Sequence, residues 1–470
     1  MALQRKTLAS LTRWHAKTRR KPLVIRGARQ VGKSTLVREY ARQRRLRLVE
    51  VNLERHADLT ESFQSLDAKR ILRDLQLVAS TPRFDDQTLL FIDELQAIPA
   101  SLPALRYLSE ERPDVAIVAA GSLLEFVLAD HAFSMPVGRI EYLHLGPMSF
   151  TEFLLAVEEK ELHDYLVQWT SDALKGDGPT LSLVDHTRLV SRYREYLFIG
   201  GMPEAVAEFA SSADLFDVAD VHRSILSTYR DDFSKYTTSS TRLPLLQRVF
   251  EFVAGSVGQK VSYAKISRDH RARSVRDVID LLTLARVMLR VHHSDCSGLP
   301  LGATENDRIF KPLFLDVGLM NHLMGFRLEQ ISAMSDLRLV NEGAIAEQFV
   351  GQHLAYATHG RDEPALHYWV RQAKTANAEV DYAIAHRGRI HPIEVKAGKS
   401  GTLKSLHQFV AHKLRDDPHP LGIRFDLNPP SLMQIEASLT SGSRSVAFEL
   451  LSLPLYMAEQ LSSILDGLSG

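Results

Sequence analysis

The chain has 470 residues, too many for one ordinary hydrophobic core, and this length predicts about three domains. Apolar residues make up 45% and charged residues 24%, which excludes a disordered, collagen-like or disulfide-stapled chain. Lys plus Arg and Asp plus Glu number 57 each, so the net charge indicates no class of partner.

The sequence also carries information about the compartment. No apolar run reaches the roughly 18 residues that a bilayer span needs, and residues 1–22 are basic without the apolar region of a secretory signal. The single cysteine, Cys296, excludes an internal disulfide and a thiolate metal cage. These features predict a cytoplasmic protein without a membrane partner.

The first part of the chain alternates short apolar runs with helical patterns. The predicted strands are 22–26, 46–52, 88–92 and 115–120, and the predicted helices are 33–43 and about 63–78. Short apolar strands between helices are typical of a parallel sheet that is covered on both faces. We predict an α/β nucleotide-binding domain in residues 1–150, which ends after the Gly146-Pro147 break.

A phosphate-binding motif lies between the first predicted strand and the first predicted helix. Gly27-Ala28-Arg29-Gln30-Val31-Gly32-Lys33-Ser34 fits the pattern G-x-x-x-x-G-K-[ST], and Thr35 follows it. Backbone N–H groups of such a loop and the positive end of the following helix point at a phosphate chain, and glycines keep the approach open. Lys33 is predicted to contact the β- and γ-phosphates, and the Ser34 hydroxyl to bind Mg²⁺. We therefore expect a phosphate chain with Mg²⁺ as the ligand of this loop.

Two carboxylates end the apolar strand 88–92. Because the strand ends of a parallel sheet carry its ligands, Asp93 is predicted to hold Mg²⁺ through water, and Glu94 to orient and deprotonate the attacking water. The alternative is an ordinary strand-to-helix turn with acidic N-cap residues. The phosphate-binding motif upstream favours the catalytic interpretation.

Two further residues follow the next predicted strand, 115–120. Ser122 is a candidate sensor of the γ-phosphate; the alternative is a small turn residue. Arg139 is a candidate arginine finger, which stabilises transition-state charge on the γ-phosphate of a neighbouring subunit. The alternative for Arg139 is a surface ion pair.

The motifs together resemble a known family. The segments PLVIRGARQVGKST, FIDELQ, AAGSLLEF and GRIEYLHLGPMSFTEF look like those of the AAA+-like ATPase family of prokaryotes, in which a P-loop domain is fused to a C-terminal domain of unknown function. YLFIGGMPEAV and KPLFLDVGLMNHLMG resemble signatures of that second domain. The resemblance covers nearly the whole chain and implies ATP binding and hydrolysis in a ring-like homo-oligomer.

The middle of the chain is predicted as a helical lid or linker region in 151–240, followed by a winged helix-turn-helix in 241–310. A helix that starts after the N-cap Ser274 would carry Arg271, Arg273 and Arg276 at its N-terminal end. Recognition helices meet bases and phosphates there, so DNA is a predicted partner. The alternative is a winged helix used for packing or protein contact.

Residues 311–470 are predicted as an α/β restriction-endonuclease-like domain. Alternation of polar and apolar residues in 378–384 and 391–396 predicts two strands of a hairpin. That hairpin would bring Asp381 together with Glu394 and Lys396.

These residues resemble the D-x(n)-E-x-K core of the restriction-endonuclease-like superfamily, which implies a divalent-metal site that clamps a phosphodiester. In that superfamily a glutamate from a preceding helix often joins, and Glu347 or Glu342 matches its position. The alternatives are a domain without activity and a plain cross-strand ion pair of Glu394 with Lys396.

The sequence therefore predicts an ATP-driven motor that acts on DNA. One competing class is an ATPase that handles or signals to a protein partner. Another is a metal-dependent nuclease under ATP control.

Overall fold

The structure is a computed structural model that describes residues 3–81, 83–129, 138–176, 181–237, 242–267, 269–326, 342–371, 378–399, 401–438 and 445–468. The chain forms two compact units. The first unit contains residues 1–146 with the short segments 284–287 and 358–363, and the second contains 147–283, 288–357 and 364–470.

The described residues of the first unit contain five strands and the helices that connect them. The strands are β1 (Leu23–Arg26), β2 (Arg47–Asn52), β3 (Thr88–Asp93), β4 (Ala116–Ala120) and β5 (Glu141–His144). The helices are α1 (Leu8–His15), α2 (Lys33–Arg44), α3 (Thr60–Gln64), α4 (Ala68–Val78), α5 (Ser101–Glu111) and α6 (Leu124–Ala129). The strands pair in parallel in the order β2-β3-β4-β1-β5, which confirms the predicted P-loop type of α/β sheet.

The central strands of this sheet are the apolar runs of the sequence. β3 and β4 are buried along their whole lengths because helices cover both faces of the sheet. The helix predicted over about 63–78 is instead two helices. Leu66 has a positive φ of 55°, which interrupts the helical backbone after α3. Asp67 then caps α4, because its carboxylate accepts hydrogen bonds from the backbone N–H groups of Lys69 and Arg70.

The second unit begins with helices, as predicted for 151–240. They are α7 (Phe150–Ala156), α8 (Lys160–Gln168), α9 (Leu183–Ile199), α10 (Pro203–Ser212) and α11 (Leu215–Tyr236). Next come α12 (Arg242–Gly255), β6 (Val261–Ser262), α13 (Tyr263–Ile266), α14 (Ala272–Leu284), β7 (Met288–Ser294) and β8 (Glu305–Phe314). The three helices and the hairpin β7–β8 follow the predicted order of elements, whereas the winged helix-turn-helix itself stays a prediction. Helix α14 starts before Ser274, which lies inside the helix and does not cap it.

The rest of the second unit is a mixed α/β region. Its helices are α15 (Val317–Leu323), α16 (Glu342–Ala355), α17 (Lys404–Lys413) and α18 (Leu461–Leu468). Its strands are β9 (Leu366–Arg371), β10 (Ala378–His386), β11 (Arg389–Val395), β12 (Leu421–Asp426), β13 (Ser431–Ser438) and β14 (Ser445–Pro454). Short 3₁₀ turns of the two units are Ala57–Leu59, Leu95–Ala97, Ser171–Lys175, Leu301–Thr304 and Leu455–Gln460.

One sheet runs through the second unit. In the described residues it has nine strands in the order β13-β14-β12-β11-β10-β9-β7-β8-β6. The parallel pairing of Val291 with Leu366 joins the hairpin β7–β8 to the strands of the C-terminal region. The predicted boundary between 241–310 and 311–470 therefore falls inside β8, and the predicted hairpin of 378–396 is confirmed as β10–β11.

Among the described helices, none is both long enough and apolar enough to cross a bilayer.

Candidate functional site

The loop between β1 and α2 has a backbone conformation that favours glycine at two positions. Gly27 and Gly32 have positive φ angles of 153° and 91°. A Cβ atom on Gly27 would lie 2.2 Å from the carbonyl oxygen of Leu145, so a side chain does not fit there. Ala28 and Val31 are buried beneath the loop, Arg29 and Gln30 are partly exposed, and Thr35 is exposed on α2.

Lys33 is the first residue of α2, and its ammonium group points back into the loop. Its Nζ atom donates hydrogen bonds to the carbonyl oxygens of Gly27 at 3.0 Å and Ala28 at 2.8 Å. Burial lowers the pKa of Lys33 to about 8, although the carboxylates of Glu94 and Asp93 act in the opposite direction. The lysine is thus buried, close to two acids, and held by main-chain oxygens.

Ser34 and Asp93 meet at the carboxyl end of the sheet. The Ser34 hydroxyl donates to Oδ2 of Asp93 at 2.8 Å. Burial raises the pKa of Asp93, against the hydrogen bonds that Ser34 and the backbone N–H of Glu94 donate to it. A hydroxyl and a carboxylate so placed are the hard oxygen ligands that Mg²⁺ prefers, so the pair fits the predicted Mg²⁺ site.

Glu94 is the next residue and lies at the centre of a small hydrogen-bond network. Its Oε2 atom accepts bonds from Nε2 of Gln96 at 2.6 Å, from the Ser122 hydroxyl at 3.0 Å and from the Ser122 backbone N–H at 3.2 Å. Burial alone would raise the pKa of Glu94, but these bonds and the charge of Lys33 outweigh it, and the pKa lies below its ordinary value. Gln96 was not predicted as a site residue, and its place two residues after Glu94 is the one signal that the sequence offers for it.

The structure therefore brings Lys33, Ser34, Asp93, Glu94 and Ser122 together at one edge of the parallel sheet. No contact among the described residues joins Arg139 to these five. Its side chain is exposed and its Nη1 atom is 3.4 Å from Oε1 of Glu110, on α5. The surface ion pair is thus present, and the role of Arg139 as a finger for a neighbouring subunit stays a prediction.

The three arginines of the predicted nucleic-acid interface lie at the start of α14. Arg271, Arg273 and Arg276 are all exposed. The guanidinium of Arg276 also lies over the ring of Tyr263, 5.9 Å from its centroid. The backbone carbonyl of Arg271 accepts a bond from Val275 N–H, so α14 starts at these residues and presents them in its first turns.

The residues of the predicted nuclease-like core also come together, in the second unit. The antiparallel register that pairs Tyr382 with Ile393 places Asp381 opposite Glu394. The Glu394 carboxylate accepts a hydrogen bond from Nζ of Lys396, and Oδ2 of Asp381 accepts one from the backbone N–H of Val395 at 2.8 Å. Burial, followed by the charge of Asp381, raises the pKa of Glu394 to about 7.

A lysine that the sequence analysis missed lies among these acids. The Nζ atom of Lys311, on β8, is 2.8 Å from Oε1 of Glu379, 3.1 Å from Oε2 of Glu347 and 3.4 Å from Oδ1 of Asp381. Its side chain is only 3% exposed. These four residues are called the Lys311 cluster below. The assignment of Asp381, Glu394, Lys396 and Glu347 to a metal site stays a prediction, as does that of Glu342, which begins α16.

Three parts of the chain match models of known families. Residues 19–154 match the AAA domain, residues 190–330 match a domain of unknown function (DUF8612), and residues 342–430 match a domain of unknown function (DUF4143). No curated protein sequence matches the chain.

Several solved structures are similar to the chain. The RuvB Holliday junction branch migration motor of Thermotoga maritima has 14% identity over 61% of this chain and 89% of that chain, with a TM-score of 0.28. The Aeropyrum pernix ORC2 protein has 13% identity over 70% of this chain and 93% of that chain, with a TM-score of 0.31. PCH-2 of C. elegans has 15% identity over 45% of this chain and 65% of that chain, with a TM-score of 0.26.

The family match and the observed site agree on the first part of the chain. The match to the AAA domain spans β1, the phosphate-binding loop, the acidic strand end of β3 and the Ser122 turn. Residues 19–154 thus match the AAA domain and have the parallel α/β sheet of a P-loop fold.

Proposed function

We propose that the protein binds and hydrolyses ATP with Mg²⁺ as a homo-oligomer, and that it uses this cycle to bind or remodel DNA. The observation that carries the proposal is the convergence of Lys33, Ser34, Asp93, Glu94 and Ser122 at one edge of the sheet. A phosphate-binding loop alone indicates binding, whereas the partly buried carboxylate of Glu94 beside it supplies a base for hydrolysis.

Each residue has a distinct role in this proposal. Main-chain N–H groups of residues 27–35 bind the phosphates, and Lys33 exchanges its carbonyl partners for the β- and γ-phosphate oxygens. Ser34 and Asp93 would hold Mg²⁺, which neutralises phosphate charge when it is bound. Glu94 orients the attacking water and accepts its proton, and Ser122 reports the γ-phosphate through its bond to Glu94.

The DNA part of the proposal is supported by charge at the start of α14. Arg271 and Arg273 are exposed there, and Arg276 stacks on Tyr263 one turn later. Guanidinium groups at a helix N-terminus are suited to contact with phosphates and with base edges. Ring-like assembly is a further part of the proposal that follows from the resemblance of the sequence. A cytoplasmic location is another part, and it is supported by the single cysteine, which suits a reducing compartment.

The central experiment measures the ATPase rate with and without single-stranded, duplex and branched DNA. We expect Mg²⁺-dependent hydrolysis that at least one form of DNA stimulates, and no ATP binding by the Lys33→Ala variant. If the purified, folded wild type does not hydrolyse ATP under any of these conditions, the proposal of an ATP-driven motor is wrong.

A salt titration of DNA binding tests the interface itself. Each phosphate contact contributes about one unit to the slope of log K against log salt. The double variant Arg271→Glu and Arg273→Glu should therefore lower the slope by about two units. Arg223→Glu is the matched control, because Arg223 is also exposed and lies on α11 of the same unit. If the wild type binds no DNA at low salt, the DNA part of the proposal is wrong, and the alternative of a protein partner is favoured.

A second candidate function is a metal-dependent nuclease under ATP control. The observation that favours it is the β10–β11 hairpin, which places Asp381 opposite Glu394 with Lys396 beside it. The test is incubation of DNA with Mn²⁺ and wild-type protein or the Asp381→Ala variant. Cleavage by the wild type alone supports this function, and intact DNA in both reactions rejects it.

A further inference from the structure

Two histidines and two carboxylates come together in the second unit, away from the residues discussed so far. They are His292 on β7, His367 on β9, and Glu305 and Asp307 on β8. A nitrogen of His292 and carboxylate oxygens of Glu305 and Asp307 all lie within 4.8 Å of one another. Nε2 of His367 is 2.6 Å from Oε1 of Glu305.

The sheet register explains how residues so distant in sequence meet. His292 is the direct neighbour of His367 in the parallel pair β7–β9, so both rings project from the same face. The register of β7 with β8 shifts between His292 and His293, and pairs Ser294 with Glu305. Such an irregularity re-aims side chains, and here it leaves Glu305 and Asp307 beside the two rings.

This face is not the face of the Lys311 cluster. Lys311 is the cross-strand neighbour of Val291, and adjacent residues of a strand point to opposite faces. His292 therefore projects away from Lys311, and the two groups of acids are separate sites.

Hydrogen bonds among the four side chains leave one of their buried polar atoms without a partner. The Nδ1 atom of His292 is buried and has no hydrogen-bond partner among the described residues. Its nearest carboxylate oxygen is Oε2 of Glu305, at 3.9 Å, which is too long for a hydrogen bond. Around a tetrahedral Zn²⁺ with bonds of about 2.0–2.1 Å, two ligand atoms lie roughly 3.4 Å apart. An ion between the two atoms would thus fit after a small rotation of Glu305.

The neighbouring charge does not prevent a cation from binding. Arg290 is the closest basic residue of β7 on the same face, and its guanidinium bonds to the Asp280 carboxylate. The set of donors also selects the kind of ion. Imidazole nitrogens suit Zn²⁺, Cu²⁺ and Ni²⁺, whereas Mg²⁺ and Ca²⁺ prefer oxygen ligands only.

We propose that His292, His367, Glu305 and Asp307 bind one divalent transition-metal ion, of which Zn²⁺ is the representative. With these ligands the ion would tie β7, β8 and β9 together at the point where the hairpin β7–β8 joins the rest of the sheet. The proposal does not depend on ATP binding, because all four residues belong to the second unit.

The experiment is a chelator-competition titration of the tag-free, EDTA-treated full chain with Zn²⁺. We expect the wild type to bind about one ion per chain, and the variants His292→Ala and His367→Ala to bind it at least roughly tenfold more weakly. Co²⁺ in place of Zn²⁺ should give the visible absorption of a site with nitrogen and oxygen ligands, and this band should be lost in both variants.

Two further variants keep the test independent of folding. Glu305→Gln preserves the size of the side chain and one acceptor oxygen but removes its charge, so it should also weaken Zn²⁺ binding. His293→Ala is the matched control, because His293 is next in sequence and packs against Tyr368 on the other face; it should bind like the wild type. A wild type without a stoichiometric site, or three ligand variants that bind as it does, would overturn the proposal.

Discussion

The Ser122 hydroxyl donates a hydrogen bond of 3.0 Å to Oε2 of Glu94, and the Ser122 backbone N–H donates a second one to the same oxygen. Gln96 donates a third, at 2.6 Å. The base that we propose for hydrolysis is therefore held by three donors of the protein. From the sequence, Ser122 and Glu94 were two candidates with separate roles, whereas their contact makes them one unit. We infer that the position of Ser122 sets the position of the catalytic carboxylate.

The first prediction concerns this contact. Ser122→Ala removes the hydroxyl but keeps the backbone donor, so ATP should bind with unchanged affinity. Hydrolysis should slow by roughly tenfold, the equivalent of one hydrogen bond to a charged group. Ser122→Thr retains a hydroxyl and should keep most of the activity. The measurement is kcat alongside the Kd of ATP, and a wild-type kcat in Ser122→Ala would contradict the assignment.

A comparison variant locates the base itself. Glu94→Gln keeps the bonds from Ser122 but cannot accept a proton, so kcat should fall by about 10²–10⁴. ATP should still bind, since the phosphate-binding loop is unchanged. Hydrolysis at the wild-type rate in this variant would assign the base to another residue.

The second prediction is a pH dependence of ATP binding. Burial lowers the pKa of Lys33 to about 8. Phosphate oxygens favour the charged form, so ATP binding raises this pKa and takes up a proton whenever the free lysine is neutral. Affinity should therefore fall as the pH rises through 8.

Calorimetry in two buffers of different ionisation enthalpy measures that proton uptake. It should be small at pH 7 and should increase towards pH 9. The Lys33→Arg variant is the control, because a guanidinium stays protonated over this range. Equal proton uptake by this variant and by the wild type would show that another group titrates.

The third prediction concerns Arg139, whose side chain is exposed beside Glu110. If it serves the site of a neighbouring subunit, Arg139→Ala should bind ATP but lose roughly 10³-fold in kcat. A mixture of Arg139→Ala with Lys33→Ala should then recover activity. One variant supplies an intact ATP site and the other supplies the arginine. A mixture no more active than its components would place Arg139 in a surface ion pair only.

How far the sequence predicted these features depends on how local each one is. The phosphate-binding loop is contiguous, so its residues and its flanking strand and helix were all predictable, and Asp93 and Glu94 followed from the end of an apolar strand. The role of Gln96 was not predictable, because its contact with Glu94 depends on the direction in which the Gln96 side chain points. The division of the predicted helix into α3 and α4 was not predictable either. The apolar residues continue at helical spacing through this region, but the positive φ of Leu66 interrupts the helix.

Contacts between distant strands were the least accessible. Asp381 and Glu394 were predicted as neighbours because a short turn joins their strands. Lys311 lies on β8, a strand that the predicted domain boundary divides, and no sequence pattern links it to Glu347 or Glu379. His292 and His367 meet only through the parallel pairing of β7 with β9, which hydropathy does not reveal.

The charges in the Lys311 cluster are strongly interdependent. Burial acts to lower the pKa of Lys311, but Glu347, Asp381 and Glu379 outweigh it and hold the pKa well above its ordinary value. Burial and the charge of Asp381 raise the pKa of Glu347 to about 8. The ammonium group therefore supplies positive charge among carboxylates that would otherwise repel one another.

The last prediction follows from that balance. Lys311→Met leaves partly buried carboxylates without their buried cation and should destabilise the second unit by about 3–5 kcal/mol. Lys260→Met is the control: Lys260 also contacts Glu379, at 2.8 Å, but is a third exposed, so its loss should cost at most about 1 kcal/mol. Hydrogen exchange of peptides from β8 and β10 measures both effects. Because a divalent ion can replace the lost charge, Mn²⁺ should restore protection in Lys311→Met and leave the wild type unchanged. If Mn²⁺ instead protects the wild type equally, the carboxylates bind metal beside the lysine. That result would favour the nuclease function over a purely structural role of the Lys311 cluster.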